Sequence, residues 1–365
     1  MIHIAAPIIE TEEIEAVQSV LTSGVLAQGP WVARLEEAFA AYCGTTYAVA
    51  VNSGTAAIHA ALFAAGIGPG DEVITTPFSF IATINPILFV GAKPVLVDID
   101  PETFNMDAAR LEQAITPKTK AILPVHLYGQ PCNMQQIGRL AKKHGLLVIE
   151  DACQAVAAEY EGRKVGNLGD IACFSLYATK NIMSGEGGVA TTNNEAYAQA
   201  MKRFRQHGMT APYEYAHIGL NYRMSDLHGS IAVAQLQKAD RFTKQRQHNA
   251  QLLDKGLTGI KGLTLPYRAS DRTHVFHQYT VRITGDFPMT RDELVVHLRD
   301  KAIIAGLYYP KPLHFYDHIA AGGYNPGDFP VAEQASRQVL SLPVHPKLNE
   351  ADIRHITQTI SSIKA

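Results

Sequence analysis

Residues 47–65, YAVAVNSGTAAIHAALFAA, join a short apolar run to an alanine-rich segment through a small polar linker. The run 47–51 has no charged residue and no alternation of polar and apolar side chains, as expected of a strand covered on both faces. Residues 55–65 are mostly alanine, the strongest helix former. This stretch therefore predicts a buried strand followed directly by a helix.

The same alternation of strand-like and helix-like segments continues to about residue 193. Further apolar runs predict strands at 72–75, 94–97, 121–125, 146–149, 171–175 and 188–191. Helices are predicted at 55–65, 79–89, 107–114 and 134–144. The alternation favours an α/β fold with a mostly parallel seven-stranded sheet. The last two strands are too close for a crossover helix, so we expect a tight loop or an antiparallel strand there.

The composition changes after this region. Residues 226–257 are rich in Ala, Leu, Gln, Lys and Arg and predict one or two long helices. A strand at 277–283 and a helix at 291–301 follow, which is typical of a smaller α+β unit. We therefore predict a large domain at 1–250 and a small C-terminal domain at 251–365, with the boundary on a helix.

Charge and hydropathy exclude several classes of protein. The 365 residues carry 32 Lys and Arg against 34 Asp and Glu, and a net charge of −2 argues against binding to a nucleic-acid backbone. The longest apolar stretch, 56–67, is too short to cross a bilayer, and residues 1–17 lack a basic leader segment. We therefore expect a cytoplasmic protein without membrane contact. Only 18% of residues are charged, against a usual ~25%, which fits a surface partly covered by another subunit.

The cysteines are scattered along the chain. Cys43, Cys132, Cys153 and Cys173 form no CxxC pair and show no regular spacing. This pattern favours reduced, buried thiols over a disulfide framework or a zinc ribbon. We expect no metal site.

One candidate ligand site lies at residues 52–57, NSGTAA, between the first strand and its helix. Free N–H groups and the helix dipole favour a phosphate at this position. An ordinary N-cap formed by Ser53 or Thr55 is the alternative. The Walker pattern is absent, and the glycines at 66, 68 and 70 precede a strand, so the sequence favours neither a P-loop nor a dinucleotide fold.

Two further candidates follow along the sheet. Asp151, in EDACQ, comes where the strand 146–149 ends, and Lys180 stands in SLYATKNIMSGEGG before a glycine-rich loop. Ligands of open α/β sheets collect at the carboxyl ends of strands, and a lysine with enough neutral amine forms a Schiff base with an aldehyde. Taken singly, Asp151 fits a helix cap and Lys180 a solvated lysine equally well.

Taken together, the three sites have the order that pyridoxal 5'-phosphate (PLP) requires. That cofactor needs an anion site, an acid beside its pyridinium nitrogen and an amine for its aldehyde. Opposite charge on Asp151 would keep the ring nitrogen protonated, which makes the ring an electron sink. The sequence thus predicts a PLP enzyme.

Six segments resemble the DegT/DnrJ/EryC1/StrS family of sugar aminotransferases, within the fold-type I PLP-dependent superfamily. They are PFSFIAT (77–83), PVLVDID (94–100), EDACQA (150–155), SLYATKNIMSGEGG (175–188), GLNYRMSD (219–226) and LSLPVHP (340–346). They occur in the family's order and cover nearly the whole chain. The resemblance implies a fold-type I large domain and a smaller C-terminal domain.

The resemblance also implies residue roles. Lys180 corresponds to the Schiff-base lysine, Asp151 to the partner of the ring nitrogen, and these two are the expected catalytic residues. Gln154 corresponds to a residue near the ring's 3-hydroxyl and Phe80 to the aromatic residue on the ring. The remaining cofactor contacts implied are Gly54, Thr55, Ser175 and Asn221, the last reaching the phosphate of the other subunit in a homodimer. Tyr309 and His314 are implied substrate contacts, although Tyr308 replaces the first histidine of the family's HYPxPxH segment.

The activity implied is ping-pong transamination. L-glutamate would donate the amino group and leave as 2-oxoglutarate, and a keto group on a nucleotide-diphosphate-linked sugar would accept it. A keto-cyclitol or another keto compound is an alternative acceptor. A non-catalytic regulator or sensor that keeps the fold is an alternative from another class, and the intact Lys180, Asp151, Gln154 and GEGG argue against it.

Overall fold

The computed structural model describes residues 1–363. Within that range the α-helices are α1 Thr11–Ser23, α2 Pro30–Cys43, α3 Gly54–Ala64, α4 Asn85–Phe89, α5 Met134–His144, α6 Glu195–Phe204, α7 Asp226–Gln237, α8 Ala239–Leu257, α9 Arg291–Asp300, α10 Asp317–Ala320, α11 Pro330–Gln338 and α12 Glu350–Ser361. The strands are β1 Tyr47–Val51, β2 Glu72–Thr75, β3 Lys93–Leu96, β4 Thr119–Ile122, β5 Leu147–Asp151, β6 Glu159–Tyr160, β7 Arg163–Lys164, β8 Ile171–Ser175, β9 Gly188–Thr192, β10 Met209–Ala211, β11 Glu214–Tyr215, β12 Leu263–Thr264, β13 Tyr279–Ile283 and β14 Val339–Leu342.

The central sheet has seven strands in the order β1-β9-β8-β5-β4-β2-β3. The pairs from β8 to β3 are parallel, whereas β9 runs antiparallel to both β8 and β1. The prediction of a mostly parallel seven-stranded sheet is therefore confirmed, and of the two alternatives for its last strands, a tight loop or an antiparallel strand, the antiparallel strand is formed. β9 follows β8 through a loop without a helix, so it has to return in the opposite direction.

Helices cover both faces of this sheet. Along β1, Val49 and Val51 pack in one apolar cluster with residues of α3 and α6, whereas Ala48 and Ala50 pack in another with α2 and α7. Because successive strand residues point to opposite faces, β1 is buried on both sides. This burial explains why the strands appear in the sequence as uninterrupted apolar runs.

Two predicted helices are not formed as expected. In place of a helix at 79–89, the chain forms a 3₁₀ turn at Ile81–Thr83 and then α4, which has Pro86 in its first turn. Proline is tolerated there but cannot continue a helix from the preceding residues. In place of a helix at 107–114, only the 3₁₀ turn Leu111–Ala114 forms, because the Asp107 carboxylate accepts the Ala109 N–H at 3.0 Å and so favours a turn.

The C-terminal part of the chain has its own apolar core. The strands β12, β13 and β14 form an antiparallel sheet, and the side chains of α8, α9 and α12 pack around it. Residue 250, where we predict the domain boundary, lies inside α8. Ile2 pairs with Ile303, so the first residues of the chain lie against this C-terminal core. The division into two domains stays a prediction.

Among the described helices, each is too short or too polar to span a lipid bilayer.

Candidate active site

A cavity of about 840 Å³ opens where β5 and β8 end. The carboxyl ends of the parallel strands meet at this edge of the sheet, which is where α/β proteins bind ligands. The predicted site residues that line it are Gly54, Thr55, Phe80, Asp151, Gln154, Ser175, Lys180 and Tyr309. Segments more than 250 residues apart in the chain, from Gly54 to Tyr309, therefore contribute to one cavity.

Asp151, the last residue of β5, is buried at the floor of the cavity. Its Oδ2 accepts a hydrogen bond from the Thr83 hydroxyl at 2.7 Å, and its Oδ1 accepts one from the Cys153 N–H at 3.2 Å. With a donor on each oxygen the carboxylate has one defined orientation, and its remaining lone pairs are available to a cation or an N–H group of a ligand.

Lys180 follows β8 in the loop that leads to β9. Its backbone N–H donates to the Tyr177 carbonyl at 2.9 Å, which turns the chain back toward the cavity. Burial lowers the pKa of the Lys180 ammonium, opposed by the nearby Cys153 and Asp151. A larger share of the amine is therefore neutral than in an exposed lysine, and the neutral amine is the form that attacks a carbonyl.

The start of α3 presents free N–H groups beside these residues. The Ser53 hydroxyl caps the helix by accepting the Ala56 N–H at 3.1 Å. The N–H groups of Gly54 and Thr55 lie in the first turn, where a helix offers them no carbonyl partner. The N-cap and the phosphate site are therefore compatible alternatives. The cap uses the Ala56 N–H, which leaves the N–H groups of Gly54 and Thr55 for a phosphate.

Gly54 is required at this point by close packing. A Cβ at Gly54 would lie 2.8 Å from the Ser175 Cβ and 2.9 Å from the Cys153 Sγ. A Cβ at Gly188 would lie 2.2 Å from the Ser53 carbonyl oxygen. The helix start can therefore sit directly against the ends of β8 and β9, next to the Ser175 hydroxyl.

Gln154 connects two walls of the cavity. Its side-chain oxygen accepts the Tyr128 N–H at 2.8 Å, and its amide nitrogen donates to the Tyr309 hydroxyl at 3.1 Å. Burial raises the pKa of Tyr309, so this hydroxyl stays protonated at neutral pH. The Phe80 ring lies 6.2 Å from the Tyr309 ring and is 55% exposed, so its face is open to the cavity.

Two predicted site residues lie outside the cavity lining of this chain. His314 is buried, with its Nε2 3.0 Å from Glu333 Oε1 and its ring packed against Phe315 and Phe329. These contacts fix the ring away from the cavity, so the structure gives the predicted substrate contact of His314 no support. Asn221 is exposed, and its carbonyl accepts the Asn52 side-chain N–H at 3.4 Å.

The structure adds cavity residues to which the sequence analysis gave no role. Thr83 stands in the quoted segment PFSFIAT, but its bond to Asp151 joins residues 68 positions apart and leaves no signal in the sequence. His277 also lines the cavity, and its Nδ1 lies 3.3 Å from Asn181 Oδ1. Burial, with the nearby charges of Lys180 and Arg246, lowers the pKa of His277, so its imidazole is neutral at pH 7.

The model of the DegT/DnrJ/EryC1/StrS aminotransferase family matches residues 7–361 of this sequence. The chain belongs to that family. Accordingly it is a PLP-dependent aminotransferase, as the sequence predicted. The residues of the cavity fit this cofactor, since they combine a helix-start anion site, a buried carboxylate and a lysine with a lowered pKa.

Named relatives and a solved structure match nearly the whole chain. The aminotransferase is 41% identical to the GDP-perosamine synthase of Caulobacter vibrioides over 99% of this chain and 98% of that one. It is 42% identical to a pleiotropic regulatory protein of Geobacillus stearothermophilus, over 97% and 94% of the two chains. The crystal structure of S. venezuelae DesV with a ketimine intermediate superposes with a TM-score of 0.92 at 38% identity, covering 96% of this chain and 93% of that one.

Proposed function

We propose that this aminotransferase transfers an amino group from L-glutamate to a keto group of a nucleotide-diphosphate-linked sugar, in a ping-pong reaction. The observation that carries the proposal is the arrangement of Lys180, Asp151 and the start of α3 around one cavity. The cavity volume of about 840 Å³ is near the upper end of small-molecule sites, roughly 300–1,000 Å³, which leaves room for a substrate beside the cofactor. A name that refers to a GDP-linked sugar, in a relative 41% identical, supports the substrate class.

PLP, when bound, supplies an electron-accepting ring that stabilises negative charge on the substrate carbon. We assign its phosphate to the N–H groups of Gly54 and Thr55 and to the Ser175 hydroxyl. Asp151 accepts the N–H of the ring nitrogen, held in orientation by Thr83 and Cys153.

Two further side chains complete the proposed cofactor site. Phe80 covers a ring face with its exposed aromatic side chain. Gln154 would contact the ring's 3-hydroxyl, and its bond to Tyr309 fixes that wall of the cavity.

Lys180 has two roles in this proposal. Its Nζ is the attachment point of the cofactor aldehyde, for which its lowered pKa makes the amine available. In the donor half-reaction Nζ would take up the proton that the donor's α-carbon loses and pass it to the cofactor. In the acceptor half-reaction it would carry a proton from the cofactor to the acceptor carbon. A base held in the cavity needs no encounter from solution, which makes this transfer efficient. We assign Tyr309 to substrate contact at the same wall, because its protonated hydroxyl lines the cavity.

We propose a cytoplasmic homodimer with shared sites. The segment before Asn221 exposes several large apolar side chains, with Tyr213 87% and Ile218 83% exposed. We assign these exposed apolar side chains to the dimer interface, where a partner subunit would cover them. Asn221 lies outside its own cavity, which is compatible with a contact to the phosphate in the partner subunit. All four cysteines are free, as expected in a reducing compartment.

The first experiment uses the purified protein with PLP. Adding L-glutamate should shift its visible absorbance as the amino group is transferred, and Lys180→Ala should abolish the shift while the protein stays folded. Asp151→Asn should slow it strongly. Next, nucleotide-linked amino sugars (UDP, dTDP and GDP) are tested in the reverse direction with 2-oxoglutarate.

The outcomes separate the proposal from its alternatives. Turnover of at least one nucleotide-linked amino sugar supports the proposal. A glutamate-dependent absorbance shift without any turnover of nucleotide sugars would leave an aminotransferase with a different acceptor, such as a keto-cyclitol. A protein that binds no PLP under any condition would favour the regulatory role suggested by the name of the Geobacillus relative.

A further inference from the structure

Three side chains at the mouth of the active-site cavity have no role in the chemistry described above. Lys311, Tyr316 and His318, here called the mouth cluster, all line the cavity and are all solvent-exposed. The Lys311 Nζ lies 4.7 Å from the centre of the Tyr316 ring, and the Tyr316 and His318 rings are 6.4 Å apart. A cation over an aromatic face is held in place without losing its charge.

The position of the mouth cluster is fixed by its backbone. The Leu313 N–H donates to the Pro77 carbonyl at 2.7 Å, which ties this loop to the segment that carries Phe80 and Thr83. The Tyr316 carbonyl accepts the Ile319 N–H at 2.8 Å at the start of α10. The cluster therefore lies between a bond to the cavity wall and the ordered start of α10.

The acidic side chains that line the cavity form no ion pair with Lys311 in the part of the chain that the structure describes. Asp151 and Lys180 lie at the floor and belong to the cofactor site, and Glu186 lies on the glycine-rich loop. Among residues 1–363, Lys311 forms no ion pair. The proposed cofactor phosphate has its own donors at the start of α3, so the free charge of Lys311 is available to a second anion in the same cavity.

We propose that Lys311, supported by Tyr316 and His318, binds the diphosphate group of the nucleotide-linked substrate. This inference rests on the proposed function. A diphosphate carries two adjacent anionic phosphates, and lysine binds such groups as a point charge. The Tyr316 hydroxyl and a His318 ring N–H add further hydrogen-bond donors beside it. The glutamate donor has no diphosphate, so the mouth cluster acts on one half of the ping-pong cycle alone.

The test is Lys311→Met in the PLP-loaded enzyme, with each half-reaction measured separately. The KM for the nucleotide-linked amino sugar turned over by the wild type should rise about 10- to 100-fold, the range for a lost bond to a charged group. The rate of the glutamate half-reaction should stay within about twofold. Calorimetric binding of UDP, dTDP or GDP, whichever nucleotide the substrate carries, should weaken by the same factor. Lys311→Arg should retain most of the affinity.

A matched control is Lys255→Met, which removes an exposed lysine from α8 and should change neither half-reaction. If Lys311→Met leaves the KM for the nucleotide sugar and the nucleotide affinity at their wild-type values, the inference is wrong and the proposed function stands. An equal loss in both half-reactions would also overturn it, because that result would indicate damage to the cofactor site. If the wild type turns over no nucleotide sugar, the proposed function itself fails and the inference with it.

Discussion

Thr83 binds one oxygen of the Asp151 carboxylate at the cavity. Its hydroxyl donates to Asp151 Oδ2 at 2.7 Å and lies 2.8 Å from the Ser79 hydroxyl. All three side chains are buried, so water does not replace a lost donor. The orientation of the carboxylate therefore depends on this hydroxyl, and so does the protonation of the cofactor ring if Asp151 has its proposed role.

We predict that Thr83→Val lowers the rate of the glutamate half-reaction about 10- to 100-fold, as expected for a lost hydrogen bond to a charged group. Valine keeps the shape of threonine but has no hydroxyl. Stopped-flow absorbance at saturating glutamate measures the rate. Thr83→Ser keeps the donor and should react within about threefold of wild type. Equal rates for the valine and serine variants would show that this bond does not support the reaction.

At the scale of elements, the start of α3 has to lie against the ends of two strands. Gly54 faces Ser175 and Cys153, where an added Cβ would approach to 2.8 and 2.9 Å. These contacts are with the short side chains of Ser175, at the end of β8, and Cys153, just after β5, which cannot move aside as the end of a long side chain could. A substitution here must displace the helix start and its N–H groups.

We predict that Gly54→Ala weakens PLP binding to the apoprotein at least about tenfold, since the displaced N–H groups no longer fit the phosphate. Fluorescence titration with PLP measures the affinity. The matched control is Gly138→Ala inside α5, where a Cβ would meet no atom within 4 Å. That change should leave PLP affinity unchanged and raise stability by up to about 1 kcal/mol. Unchanged PLP affinity in Gly54→Ala would contradict the assignment of the phosphate site.

Elements buried on both faces could be predicted from the sequence, and elements shaped by local side chains could not. β1, β2 and β8 form with the predicted bounds because their uninterrupted apolar runs reflect burial. The helix expected at 107–114 fails because one Asp107 oxygen captures a nearby N–H group. Such a contact depends on a side-chain conformation, which the hydrophobic periodicity of the sequence does not predict.

The same distinction applies to the candidate site. Asp151 and Lys180 could be found because strand ends and a glycine-rich loop mark them in the sequence, and both line the cavity. Thr83 and His277 could not be assigned, because their roles depend on contacts made only in the folded chain. His314 belongs to a segment that resembles the family's, but its contact with Glu333 holds the ring outside the cavity lining.

At the scale of the whole molecule, buried neutral histidines make stability depend on pH. Burial and the nearby Arg268 lower the pKa of His274 from 6.5 to about 3, and its Nδ1 accepts the Phe276 N–H at 3.0 Å. The unfolded chain takes up a proton below pH 6.5, but the folded chain does so only near pH 3. The stabilising contribution is therefore complete above pH 6.5 and is lost as the pH falls toward 3.

We predict that lowering the pH from 7 to 5 decreases the free energy of unfolding by about 2 kcal/mol through the protonation of His274 in the unfolded chain alone. Urea titrations at pH 7 and pH 5 measure the fall. His274→Asn keeps a side-chain acceptor for the Phe276 N–H but has no titrating group, so its loss of stability on acidification should be smaller by this amount. The control is His248→Asn, at an exposed position on α8, which should lose as much stability between pH 7 and pH 5 as the wild type. An identical fall in His274→Asn and wild type would contradict the prediction.

The proposed shared site makes a prediction for mixed dimers. If Asn221 serves the partner's phosphate, a hybrid of Lys180→Ala and Asn221→Ala subunits has one site with both defects and one intact site. Each variant alone should show little activity, and random mixing by joint refolding should restore about a quarter of the wild-type rate, since half of the dimers are hybrids with one working site. A mixture of Lys180→Ala with Asp151→Asn is the control, because both defects lie in the subunit's own cavity: there the intact Lys180 and Asp151 never meet in one site, and no activity should return. If the mixture of Lys180→Ala and Asn221→Ala also regains no activity, Asn221 serves the phosphate of its own subunit or has no role at the phosphate.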